Sequence, residues 1–213
     1  MSGGRKKVVV LGVTGASGIT LAVHFLRMAT SSDRIGKVHL VVSREAIRVG
    51  ASEVDPPITT PSDVIDRSTL SDGARERIEI HSNDDVGASI ASGSYRTDGM
   101  AIIPCSSGTL GSIANGISRG LVQRAADLTL KERRPLILAL RETPFSLIHA
   151  ENIVAVTRAG AIVMPPVPAF YAGQDWETYL DHFAMRVLDL LGVETDRPDL
   201  RWPDGGAARR ESA

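Results

Sequence analysis

The sequence predicts a doubly wound α/β fold, a parallel sheet with helices on both faces. Three observations carry this. The apolar runs at 7–13 (KVVVLGV), 100–104 (MAIIP) and 136–140 (LILAL) are continuous rather than alternating, as in strands buried on both faces. Stretches of helical spacing separate them. Loops rich in glycine and small hydroxyl residues follow two of them, at 12–18 and 106–116. In open parallel sheets, ligands bind beyond the carboxyl ends of the strands.

The elements follow in order. Residues 7–13 form the first strand, closed by Gly12 and Gly15, and 17–29 a helix with Ile19, Val23 and Leu26 near one face. A second strand spans 37–42 and a second helix 44–53. Pro56, Pro57 and Pro61 make 54–75 mostly loop, with one helical turn. Strands at 78–81 and 100–104 come next, and the glycine-rich stretch 106–116 opens a helix. A helix at 121–132, the strand 136–140, a helix at 146–158 and a strand at 161–164 continue the alternation. Pro165, Pro166 and Pro168 break the chain before a last helix at 176–191. We expect one domain over 1–203 and a small, polar, disordered tail at 204–213.

The chain has 213 residues, 43% hydrophobic and 23% charged, enough to bury the core of one domain. Its net charge of −1 gives no global attraction to nucleic acid or an anionic membrane, so any anion site is local. The single cysteine, Cys105, allows no intramolecular disulfide and fits a reducing compartment. The apolar run after MSGGRKK is too short for a signal-peptide core, and no stretch reaches the ~18 apolar residues of a membrane span. The expected location is cytoplasmic.

The strand-exit loops hold the candidate chemistry. GVTGASG (12–18) is Gly-x-x-Gly-x-x-Gly, and Ser43 stands where a ribose 2′-OH would want an acid, so a phosphate or flavin phosphate fits better than NAD. The alternative is a tight turn. In PCSSGTLGSIANG (104–116), Ser106, Ser107 and Thr109 suit a phosphate or a flavin edge. Cys105 reads as a small buried hydrophobe rather than a nucleophile. Taken alone, Ala91–Ser94 is a flexible turn, Arg124 and Lys131 are solvated cations on one helix face, and Tyr171 and Arg186 are a packing tyrosine and a surface arginine. Arg141 and Glu142, at a strand exit, form either a structural ion pair or a ligand contact. Histidines 24, 39, 81, 149 and 182 are scattered and there is no second cysteine, so no metal site is expected.

Taken together, TGASG, ASGS, PCSSGTL, RAADLTLKERRPLILALRETPFSLIHAEN and AFY fall in the order and spacing of the flavin prenyltransferases. The chain resembles that family over about residues 7–202. The resemblance implies a Rossmann-like, flavodoxin-like fold and a symmetric homo-oligomer, a dodecamer, with reduced FMN bound between subunits. It implies transfer of a dimethylallyl group from dimethylallyl monophosphate to N5 and then C6 of FMN, without metal. The prenylated FMN then serves a separate UbiD-type decarboxylase.

By matching motif, Gly15, Ala16 and Ser17 resemble the first FMN loop and Ser43 a contact at the second strand's end. Ser106, Ser107, Gly108 and Thr109 resemble the loop against the flavin, and Arg141 a further FMN contact. Ser92, Arg124, Lys131, Tyr171 and Arg186 resemble the prenyl-phosphate clamp, with Trp202 or Tyr171 as an aromatic wall for an allyl cation. Glu142 resembles the acid–base residue, and Glu53 a second acidic position in the site. The run Ile19-Thr20-Leu21 departs from the family pattern, and the stretch between Tyr171 and Arg186 is one residue shorter. A cysteine decarboxylase of the same fold would need a histidine after the second helix and a Pro-Ala-Ser-Ala-Asn-Thr-like segment. A flavin carrier would have no use for Arg124, Lys131 and Glu142 together.

Overall fold

The computed structural model describes residues 5–171 and 175–202. Its strands are β1 (Lys7–Val13), β2 (Ile35–Val42), β3 (Ile78–Ser82), β4 (Gly99–Cys105), β5 (Leu136–Leu140) and β6 (Ile162–Val163). They form one sheet in the order β3-β2-β1-β4-β5-β6, and every neighbouring pair is parallel. This is the Rossmann order, which reverses direction between β1 and β4.

Side chains alternate between the two faces, as the two-residue period of a strand requires. On one face Val9, Leu11 and Val13 pack with Phe25 and Leu26 of α1 (Ile19–Ser31) and Ala184 and Leu188 of α8 (Trp176–Leu190). On the other, Val10, Met100, Ile102 and Leu138 meet Leu110 of α5 (Ser107–Ala114) and Leu121, Val122 and Ala125 of α6 (Leu121–Lys131). Burying a leucine- or phenylalanine-sized side chain contributes about 1.5–3 kcal/mol, so these two layers hold the sheet's ends in place.

The helix α2 (Arg44–Glu53) has the expected bounds. The proline-rich stretch does not stay a loop. It holds α3 (Pro61–Arg67) and the short α4 (Asp72–Arg75). Pro61 starts a helix instead of breaking one. It sits in the first turn, and Thr60 with Asp63 forms a capping box. One Asp63 carboxylate oxygen accepts from the N–H groups of Thr59 and Thr60 at 2.7 and 2.8 Å. The strand expected at 161–164 shortens to Ile162–Val163, and 3-10 turns at Ser89–Ala91 and Pro198–Leu200 were not expected. The polar tail at 204–213 lies outside the described residues.

The helix α7 (Leu147–Ala159) buries only Val156 fully. Leu147 and Ile148 are 74% and 68% exposed, and Phe145 and Val154 are exposed beside them. Such an apolar face on a single chain marks a protein-interaction surface. Among the described residues, no helix is long and apolar enough to cross a membrane.

Candidate active site

The strand order reverses between β1 and β4, and there the two exit loops are tied together by Thr14. Its N–H and hydroxyl both donate to Pro104 O, at 3.2 and 2.9 Å, and its Oγ1 accepts from Ser106 N at 2.9 Å. The sequence reading missed Thr14. The available signal was a hydroxyl residue at the exit of a buried strand, where a polar side chain needs partners. Ser106 caps α5, accepting from Thr109 N at 3.3 Å and donating to Thr109 Oγ1 at 3.0 Å. A side chain at Gly108 would meet nothing within 4 Å. The first turn of α5 therefore presents open backbone to solvent.

Arg141 and Glu142 leave β5 beside this turn, with Arg141 N donating to Cys105 O at 3.0 Å. The Ser107 hydroxyl, bonded to the Glu142 carboxylate, holds its carboxyl below the usual range, and the Thr143 N–H, His149 and Arg141 act the same way. The Thr143 N–H lies 3.1 Å from Oε1. Glu142 is thus an ionised, solvent-facing carboxylate bonded to the expected flavin loop. Cys105 is fully buried and its thiol is pushed up to about 12 by burial, so it is no thiolate.

The first loop differs in detail from the sequence reading. A Cβ at Gly15 would lie 2.4 Å from the Glu45 Cβ, so close approach of α2 already requires glycine there. Gly18 is left-handed, with φ 106°. Its N–H and that of Ile19 donate to Glu53 Oε2, at 2.9 and 3.4 Å. The α1 N-terminus thus already holds a carboxylate. Ser43 is buried and caps α2 by accepting from Ala46 N at 3.1 Å. Ala16 N donates to Thr14 O at 2.8 Å, and Ser17 is partly exposed beside it.

The expected phosphate clamp does not converge in one chain. Lys131 ends α6, which runs antiparallel to the strands, and so lies at the amino-terminal end of the sheet. Ser92 is there too. Its turn leads into the start of β4, Arg134 Nη2 donates to Gly93 O at 3.0 Å, and a Cβ on Gly93 would lie 3.3 Å from Lys131 Nζ. The Ser92 and Ser94 hydroxyls are 3.0 Å apart. Arg124, half exposed on α6, faces Asp127 at 3.6 Å.

Tyr171, Arg186 and Trp202 come together on the opposite face of the sheet, around His182 of α8. Tyr171 Oη lies 3.3 Å from His182 Nε2, and the Tyr171 and Trp202 rings meet edge-on at 5.0 Å. Burial, with the Arg186 charge beside it, holds His182 below the usual imidazole range. Arg186 also reaches Asp189 at 3.3 Å. The sequence reading missed His182, because only the phase of α8 carries it to Tyr171.

The candidate residues therefore form three groups. Residues 15–17, 43, 53, 106–109, 141 and 142 lie at the carboxyl end of the sheet with Arg124 in the first turn of α6, Ser92 with Lys131 at the other end, and Tyr171 with Arg186 and Trp202 on the α8 face. The first group suits a flavin mononucleotide: hydroxyls, an uncovered helix start and one exposed guanidinium, with no crowding side chain at Gly108.

Comparison with known proteins agrees. The Flavoprotein family model matches residues 2–185. The chain is 41% identical over 202 residues to a probable UbiX-like flavin prenyltransferase of a Streptomyces species, covering 94% of each. It superposes on crystalline AnUbiX in complex with FMN and dimethylallyl pyrophosphate with a TM-score of 0.81, at 37% identity, over 95% of this chain and 100% of that one. A dodecameric FMN-dependent Ubix-like decarboxylase from Escherichia coli matches with a TM-score of 0.79, at 38% identity, over 92% of this chain and 99% of that one. The cysteine decarboxylase TvaF, at 16% identity and a TM-score of 0.54, shares the fold alone.

Proposed function

The chain belongs to the Flavoprotein family, among its flavin prenyltransferases, and on that premise we propose that it transfers a dimethylallyl group from dimethylallyl monophosphate to N5 and then C6 of reduced FMN. The observation that carries this reading is the Arg141–Glu142 exit turn, set against the open start of α5 with Glu142 ionised. FMN supplies the nucleophilic ring, and the protein supplies everything around it. The α5 start, Ser17, Ser43 and Arg141 orient the acceptor. Ser92, Arg124, Lys131 and Arg186 receive the leaving phosphate, whose charge several cations can stabilise without a metal. Tyr171 and Trp202 offer aromatic faces to the allyl cation as the phosphate departs. Glu142 accepts the proton that the acceptor nitrogen gives up.

Three groups that do not meet in one chain need neighbouring copies to close the site. The exposed apolar face of α7 gives such copies a surface to share. We therefore place the reaction between subunits of a homo-oligomer, a dodecamer like the Escherichia coli relative. The product would serve a UbiD-type decarboxylase. The proposed location is the cytoplasm, in keeping with a lone reduced cysteine.

The test is anaerobic incubation with reduced FMN and either dimethylallyl monophosphate or the diphosphate, followed by mass spectrometry of the flavin. The expected result is FMN heavier by one five-carbon isoprene unit with the monophosphate. Unmodified flavin with both donors would overturn the assignment.

A further inference from the structure

The register of β2 against β3 brings His39 beside two residues that lie about forty positions further along the sequence. His39 pairs with Glu79, and His81 lies two residues on, on the same face of β3. His39 Nδ1 is 2.8 Å from His81 Nε2 and 3.6 Å from Glu79 Oε2, and His81 Nε2 is 3.5 Å from Glu79 Oε1. We propose that His39, Glu79 and His81 bind a divalent transition-metal ion of the zinc class, which clips the edge strand β3 to β2.

The donor set is that of a three-ligand zinc site, two imidazoles and a carboxylate. Ligands about 2.0–2.1 Å from a tetrahedral ion are themselves about 3.3 Å apart. The 3.5 Å between His81 Nε2 and Glu79 Oε1 already matches, all the donor atoms lie within 4.8 Å of one another, and the imidazole nitrogens need part by only about half an ångström.

The surroundings are arranged as an outer shell. His39 Nε2 lies 2.9 Å from Tyr95 Oη, which fixes the ring and leaves Nδ1 toward the cluster. Lys37 Nζ holds Glu79 Oε2 at 2.8 Å, and Oε1, the oxygen toward His81, is free for the ion. When the ion enters, the proton between the rings moves from His81 Nε2 to Nδ1, so no net proton is lost. Glu79 is half exposed, which gives the ion an entry path and a water as fourth ligand. The cluster is on the β2–β3 edge, away from the β1–β4 switch point, and none of its three residues is assigned to prenyl transfer. The rival account is a closed polar network, a His–His hydrogen bond beside a Lys–Glu ion pair.

The tag-free full chain is equilibrated with Zn²⁺, desalted and analysed for bound metal, and titrated with Co²⁺ while the visible absorption of a tetrahedral site is followed. The expected result is about one ion per chain, with affinity at least tenfold lower in Glu79→Gln and His81→Ala. Wild-type protein that retains no metal, or variants that retain as much, would overturn the proposal in favour of the closed network. Glu79→Gln changes an exposed side chain and keeps the test open if His81→Ala fails to fold. Chelated wild-type protein should still prenylate FMN, which separates this test from that of the enzymatic assignment.

Discussion

Mixing two inactive variants measures whether the active site is shared. Lys131 and Ser92 lie at the amino-terminal end of β4, and Glu142 and Ser107 at its carboxyl end. Seven residues of strand separate these ends by about 20 Å, well beyond the reach of a lysine side chain. If one site takes Glu142 from one chain and Lys131 from another, Glu142→Gln and Lys131→Ala should each be inactive alone. Dissociated and reassembled in equal amounts, they should regain activity. A site is intact only when its Glu142 comes from a Lys131→Ala chain and its Lys131 from a Glu142→Gln chain. With random assembly that is half times half, or about a quarter of wild-type activity per site. The assay is the rate of prenylated-flavin formation across a series of mixing ratios, which should peak at equal amounts. Flat, residual activity at every ratio would refute the shared site and require both residues to act within one chain.

Three further outcomes follow from the geometry. Glu142→Gln keeps shape and hydrogen bonding but loses the titrating group, so single-turnover prenylation should fall about 10²–10⁴-fold with FMN affinity little changed; loss of FMN binding instead would make Glu142 structural. Cys105→Ala should retain prenyl transfer within about tenfold, or ~1.4 kcal/mol, and the native thiol should resist alkylation; an inactive variant with FMN still bound would contradict the buried-thiol reading. Metal-free protein should lose stability as pH falls from 6.5 toward 4, because burial lowers His39 to about 4 while the unfolded chain's imidazole takes its proton near 6.5. One such proton is worth up to about 1.4 kcal/mol per pH unit, or about 2 kcal/mol by pH 5. Urea midpoints that fall equally in wild type and His39→Gln would assign the loss elsewhere.

The strands at 7–13, 100–104 and 136–140 were the most legible because each is a continuous apolar run. Lys7–Val13 and Leu136–Leu140 have the expected bounds. The stretch before β3 was misread because Pro61 was weighed as a breaker, whereas Thr60 and Asp63 make it a helix start. Strand-exit loops could be picked out as ligand-facing, since every parallel strand presents its exit to the same end of the sheet. Which candidates share a space could not be read from spacing. Lys131 lies far from Glu142 because α6 runs antiparallel to the strands, a fact of topology. Likewise, His39 meets His81 only through the β2–β3 register, and His182 meets Tyr171 only through the phase of a helix.

The carboxylate at the start of α1 bears on which nucleotides this sheet can accept. Folds with this strand order commonly seat a dinucleotide's diphosphate on the helix that follows the first strand. Here Glu53 Oε2 already accepts from Gly18 and Ile19. A diphosphate brought to about 4 Å from that exposed carboxylate would meet like charge worth about 1 kcal/mol at water's dielectric and at most about 4 kcal/mol at an effective dielectric of 20, roughly a fivefold to thousandfold loss of affinity. Glu53 is therefore expected to disfavour nicotinamide dinucleotides, while a mononucleotide whose phosphate sits elsewhere escapes the repulsion. Replacing it with serine should relax that discrimination, and unchanged NAD affinity in the Glu53→Ser protein would show that the exclusion lies elsewhere.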